Sequence, residues 1–126
     1  LYMLFRQFTA AFGLYLNGHP TMIRPIVSPM SEGAAGKWGK LSTRLTDYVK
    51  GMAAASENYG NFYGQLLFVA AGGLLLIKGV FDQAGYSVDL LKMTRYAIPT
   101  AVAAYLVAIV RYFLMDARVR KEAGKE

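Results

Sequence analysis

Apolar positions along the chain fall into three blocks separated by two polar stretches. Residues 1–16, LYMLFRQFTAAFGLYL, are apolar apart from Arg6, Gln7 and Thr9, and read as the truncated end of a membrane span. Residues 58–77, NYGNFYGQLLFVAAGGLLLI, form a twenty-residue run without charge, bounded by Glu57 and Lys78. At about 1.5 Å per residue such a run covers about 30 Å, the thickness of a hydrocarbon core. The third block, 96–115, YAIPTAVAAYLVAIVRYFLM, predicts another span. Pro99 is then expected in its first turn, and Arg111 can snorkel near its end.

The polar stretches have different characters. In 17–31, Pro20, Pro25 and Pro29 each remove a backbone donor and disfavour helix at the residue before. Asn17-Gly18 is a turn signal, so no regular helix is expected there. From Ser31 the pattern turns helical, with Ser28 or Ser31 as N-cap and Glu32 near the positive end of the helix dipole. Over 42–56, Leu45, Tyr48, Val49 and Met52 recur at helical spacing while Arg44, Asp47 and Lys50 fall elsewhere. This predicts an amphipathic connecting helix lying on the membrane surface. Residues 78–95 read as a mixed connection, and the charged tail 116–126, DARVRKEAGKE, is expected to fray.

The fold class expected is all-α: a polytopic transmembrane helical protein with a broken, Pro-rich segment and an amphipathic connecting helix. It forms a single integral membrane domain over 1–126. The chain starts inside an apolar segment, without an initiator methionine or the n-region of a signal peptide. It therefore reads as a fragment, the C-terminal part of a longer protein.

Composition supports a bilayer setting. Hydrophobic residues make up 55%, mean hydropathy is +0.28, and charged residues are 17%, against about 25% in soluble domains. The net charge of +6 is dispersed between apolar blocks, with no alternation of basic and aromatic residues. Nucleic acid is accordingly not an expected partner, whereas the lipid bilayer is. The absence of cysteine and the single histidine exclude disulfides, thiolate sites and a His-based zinc site within this chain. Segment 17–57 carries five Lys and Arg, the tail four and 78–95 three. With two spans between them, 17–57 and the C-terminus share a side, and their excess places both in the cytoplasm.

No catalytic triad, P-loop or dinucleotide fingerprint is present, so no enzyme and no cofactor are expected; GAAGKWGK (33–40) lacks the required order. Two segments carry candidate chemistry. Non-helical backbone between His19 and Pro29 is tolerated at membrane depth only when it is buried in protein or lines a cavity. Its amides, with Arg24 and Ser28, could there hold an anion. The alternative is an interfacial loop with His19 capping the preceding helix. In SENYGNFYGQ (56–65), Ser56, Glu57, Asn58, Asn61 and Gln65 suit a broken helix that coordinates substrate or a cation. The alternative is a hydrated helix entrance anchored by Tyr59 and Tyr63. Glu57, if buried, is the carboxylate placed to carry a coupling proton. Gly60 and Gly64 allow either close helix approach or a break. Candidate substrate-binding residues are thus His19, Arg24, Ser28, Ser56, Asn58 and Asn61, with Glu57 for the coupling ion. Gly18, Pro20, Pro25, Pro29, Gly60 and Gly64 are the structural positions of the broken helices.

With GHPTMIRPIVSPMSEGAA (18–35), the chain resembles the bacterial membrane-protein family called domain of unknown function 969. The likeness continues through LFRQFTAAFGL (4–14), ENYGNFYGQLLFVAAGGLLLI (57–77) and YAIPTAVAAYLVAIVRYFLMDARV (96–119). His19, Pro20, Arg24, Pro25, Pro29, Glu32, Glu57, Asn58 and Gly60 stand at its motif positions. The resemblance implies a subunit of a 5-oxoproline (pyroglutamate) transporter that acts with a second multi-span membrane subunit. The function expected is therefore a bacterial inner-membrane subunit of a secondary transporter for a small carboxylate. The alternative is a structural or assembly subunit whose partner carries the substrate site.

Overall fold

A computed structural model of the chain describes residues 1–14 and 16–123. The described residues contain helices and turns and no strand. α1 spans Tyr2–Ala11. It stops inside the first apolar block because Gly13, at φ +73°, closes the helix end. The Gly13 N–H bonds to the Ala10 carbonyl at 2.9 Å and the Leu14 N–H to that of Thr9 at 3.0 Å, a pairing that favours glycine at the left-handed position.

The Pro-rich stretch differs from expectation: His19–Val27 is wound as a π-helix. At its end the Ser28 N–H reaches the Ile23 carbonyl, five residues back. The prolines fall where this winding tolerates them. Pro20 lies in the first turn, where its missing N–H would have no partner. Pro25 is interior, and the wider turn relieves the clash with the carbonyl four residues earlier that an α-turn would impose. Pro29 falls in the first turn of α2, Ser28–Ala35, which a 3₁₀ turn at Gly36–Trp38 follows. Neither predicted N-cap forms. Ser31 Oγ donates to the Val27 carbonyl at 2.7 Å, and Ser28 Oγ to Glu32 at 3.2 Å. The cap that does form is Ser42, whose Oγ accepts the Leu45 N–H at 3.3 Å.

α3 runs unbroken over Thr43–Gln65. The expected break at 56–64 is absent, and so is a boundary between a surface helix and a span. The interruption falls later, at 66–71, where i→i+3 bonds from Leu67 to Gly64 and from Phe68 to Gln65 tighten the helix end. The Phe68 ring lies on Gly13, where a Cβ would come within 2.6 Å of it. Residues 58–77 are therefore not one helix. α4, Gly72–Gln83, has 12 residues and covers about 18 Å, short of a hydrocarbon core.

α5 spans Leu90–Glu122, 33 residues. It starts earlier than predicted because the Asp89 carboxylate accepts the Leu91 N–H at 2.9 Å. Pro99 is consequently interior rather than in the first turn. The tail is helical through Glu122, where fraying was expected, and the pairs Arg118–Glu122 (2.9 Å) and Arg120–Asp116 (2.8 Å) span its turns. Residues 124–126, the last of that tail, lie outside the described residues, as does Tyr15 in the first block. Among the described residues, α5 is the one helix long and apolar enough to cross a membrane.

Two units divide the chain: residues 1, 3–15 and 59–105, and residues 2, 16–58 and 106–126. In the first, α1 approaches the end of α3 through two glycines. A Cβ on Gly60 would lie 2.8 Å from the Met3 carbonyl, and one on Gly64 would overlap the Gln7 carbonyl and Ala10. Met3, Ala10, Leu74 and Ala101 are buried there. In the second, Ala35, Leu45, Val49 and Val119 form a core, with Leu41, Tyr48 and Met115 against it.

Candidate functional site

In the second unit the start of the π-wound segment meets α3. Glu57 is 4% exposed, and its carboxylate accepts a hydrogen bond from the Tyr2 hydroxyl at 2.5 Å. Burying a carboxylate is costly without such partners. Gly18 has ordinary helical dihedrals (φ −60°, ψ −37°), so backbone freedom is not why glycine stands there. The reason is space: a Cβ on Gly18 would occupy the Glu57 carboxyl group. One residue further on each segment, His19 Nε2 lies 2.9 Å from Asn58 Oδ1, both exposed. A neutral His19 bonds there only as the Nε2–H tautomer, since the amide oxygen accepts.

The first unit holds a second polar cluster. Arg6, 2% exposed, donates from Nη2 to Asn61 Oδ1 at 2.6 Å. Its Nη1 reaches Thr9 Oγ1 and the Leu14 carbonyl, each at 3.3 Å. Gln65 Nε2 also donates to Asn61 Oδ1, at 3.3 Å. The void beside them, lined by Ala10, Gly13, Leu14, Asn61, Gln65 and Phe68, has no room for a water molecule. Gln7, buried on the same helix, donates to the Ala101 carbonyl of α5 at 3.1 Å. An apolar cleft of about 220 Å³ opens next to it, between Phe8, Leu67, Ile98 and Val102.

The predicted site residues are thus divided. Gly18, His19, Glu57 and Asn58 come together in one place, and Asn61 belongs with Arg6 in the other. Ser56 is buried but bonds within its own helix, Oγ to the Ala53 carbonyl at 2.5 Å. Arg24 is exposed in the last turn of the π-helix, and Ser28 pairs with Glu32; neither joins His19 and Asn58. Two residues were not foreseen as parts of a site. For Arg6 the signal was its charge within an apolar block, which is expected to face protein, a cavity or the interface. For Tyr2 no local signal exists, because its role depends on a contact 55 positions away. No group of three or more His, Asp or Glu that could hold a metal ion occurs among the described residues.

Comparison with known proteins agrees with the early likeness. A family model described as a protein of unknown function, DUF969, matches residues 1–120. Neither the curated proteins nor the solved structures include a significant match. With the match extending over nearly its whole length, the chain belongs to the DUF969 family.

Proposed function

We propose that the chain is a subunit of a secondary transporter for a small carboxylate in the bacterial inner membrane, with its C-terminus in the cytoplasm. It acts with a second multi-span subunit, and 5-oxoproline is the substrate that the family resemblance implies. The observation that carries this reading is the meeting of the π-wound segment with a buried carboxylate. Gly18 gives up its side chain to make room for Glu57, while His19 and Asn58 bond beside it. Burying an ionisable group is costly, so a carboxylate kept buried on α3 points to a role for it. π-turns likewise concentrate at functional sites. Glu57 carries the coupling proton, and His19 and Asn58 present their polar edges to the substrate. Arg24 is exposed and receives the carboxylate on entry.

Uptake of labelled 5-oxoproline into cells that produce both subunits tests the proposal. His19→Ala and Asn58→Ala are expected to lower uptake with the complex still assembled, and a panel of other carboxylates defines the substrate class. Uptake indifferent to both substitutions contradicts it.

A second reading, that of an assembly subunit, draws on Arg6. Its bond to Asn61 ties α1 to α3 beside a void closed to water, while Thr9 and the Leu14 carbonyl hold the other end of the guanidinium, as in a scaffold. On that reading, substitutions at His19, Arg24 and Asn58 change the yield of the complex and leave the affinity of the remainder unaltered.

A further inference from the structure

The second unit gathers cations from two distant parts of the chain. The Arg120 guanidinium lies 4.2 Å from the centre of the Trp38 ring, and that of Arg118 lies 4.8 Å from the Tyr48 ring. Between them Val119, 2% exposed, is inserted into the core formed by Ala35, Leu45 and Val49. The end of α5 is thereby fixed beside the 3₁₀ turn and the start of α3. Lys37, Arg44, Arg118, Arg120 and Lys121 are exposed on these elements, and Lys40 is exposed on the loop between the 3₁₀ turn and α3. Asp116 and Glu122 pair with Arg120 and Arg118 within α5, so the net positive charge of the face rests chiefly on Lys37, Lys40, Arg44 and Lys121. Asp47 lies on α3, and Glu32 pairs with Lys50 at 3.5 Å.

We infer that this face binds the headgroups of anionic phospholipids. The inference rests on the proposed bilayer setting, with α5 as the membrane-crossing helix, and both position and charge support it. Val110, Phe113 and Leu114 are exposed apolar residues on α5 immediately before the cationic turns. The boundary between hydrocarbon and water therefore falls close to Arg118. Trp38 is 48% exposed beside that boundary, and tryptophan favours the headgroup layer. Lysine and arginine next to a span are attracted to an anionic leaflet by about a fivefold factor for each cation at the surface. Arg118 and Arg120, held over aromatic rings and paired along α5, fix the geometry of the face, and the lysines and Arg44 around them supply the donors for phosphate oxygens. A membrane surface fits this set better than an acidic protein segment does, because the apolar and basic residues change over along the helix axis.

Trp38 is the only tryptophan in the chain and serves as the probe. The protein is reconstituted into vesicles of phosphatidylcholine and phosphatidylglycerol, with bromine quenchers on the acyl chains of one lipid or the other. A Trp38→Phe protein supplies the blank. Expected is stronger quenching by brominated phosphatidylglycerol at low salt, falling to parity in high salt. The triple substitution Lys37→Gln, Lys40→Gln, Arg44→Gln should remove the preference, and Lys37→Arg with Lys40→Arg should retain it. Equal quenching by both lipids in the unsubstituted protein overturns the inference. A saturable response of Trp38 fluorescence to inorganic phosphate in detergent, together with loss of the lipid preference in vesicles holding the same phosphate at constant ionic strength, also overturns it in favour of a free-anion site. Failure of 5-oxoproline uptake bears on the transport reading alone, since the lipid assay involves no substrate.

Discussion

Glu57 and Gly18 show how one residue's chemistry can dictate another's identity. Gly18→Ala keeps the backbone conformation and places a methyl group where the carboxylate now lies, so the Glu57 side chain must move. The expected outcome is loss of uptake with normal complex yield, measured by transport and by size-exclusion chromatography of the same preparation. Tyr2→Phe removes the hydroxyl that donates to Glu57. It should cost about 1 kcal/mol, as the loss of one hydrogen bond typically does, read as a lowered midpoint of thermal unfolding in detergent. An unchanged midpoint would show that Tyr2 contributes nothing to holding the carboxylate. The sequence marked Glu57 through its place ahead of an apolar run, and His19 and Asn58 through their polarity. It could not mark Tyr2, because a tyrosine near the start of an apolar block reads as an interfacial anchor until its partner across the fold is known.

Among the helices, α1 and α3 are held together by what Gly60 and Gly64 lack. Alanine at Gly64 would push into the Gln7 carbonyl and the Ala10 side chain, and overpacking of this kind costs about 1–3 kcal/mol. Gly51, on the same helix with nothing within 4 Å of its absent Cβ, is the control. There Gly51→Ala should stabilise by up to about 1 kcal/mol, through helix propensity alone. Equal effects at the two sites would mean that the close approach is unimportant. The spacing of Gly60 and Gly64 offered both a break and a crossing, and the crossing is what forms. The break at 66–71 was hidden, since LLFVAA has the composition of a span interior and is interrupted by tertiary packing of Phe68 on Gly13. Proline rules written for α-geometry likewise forbade a helix at 19–27, and the π-winding escapes them through its wider turn. At the tail, alternating charges concealed Val119, which anchors α5 in the core.

For the chain as a whole, apolar composition and the length of α5 indicated a membrane setting. The number of crossings was not legible, because a hydropathy run does not reveal whether it is one helix. Cysteine is absent from the chain, so single cysteines can report topology directly. Ser87→Cys and Lys121→Cys, at the two ends of α5, should react with an impermeant maleimide from opposite sides of the membrane. Reaction from the same side would contradict a crossing by α5. The proposed proton-coupled carboxylate transport through Glu57 is measured by 5-oxoproline accumulation in proteoliposomes containing both subunits, under an imposed proton gradient. The protein should accumulate substrate only while the gradient lasts, and Glu57→Gln should exchange substrate across the membrane without accumulating it. Gradient-driven accumulation that survives Glu57→Gln, or no movement of 5-oxoproline by the unsubstituted complex, would contradict the account.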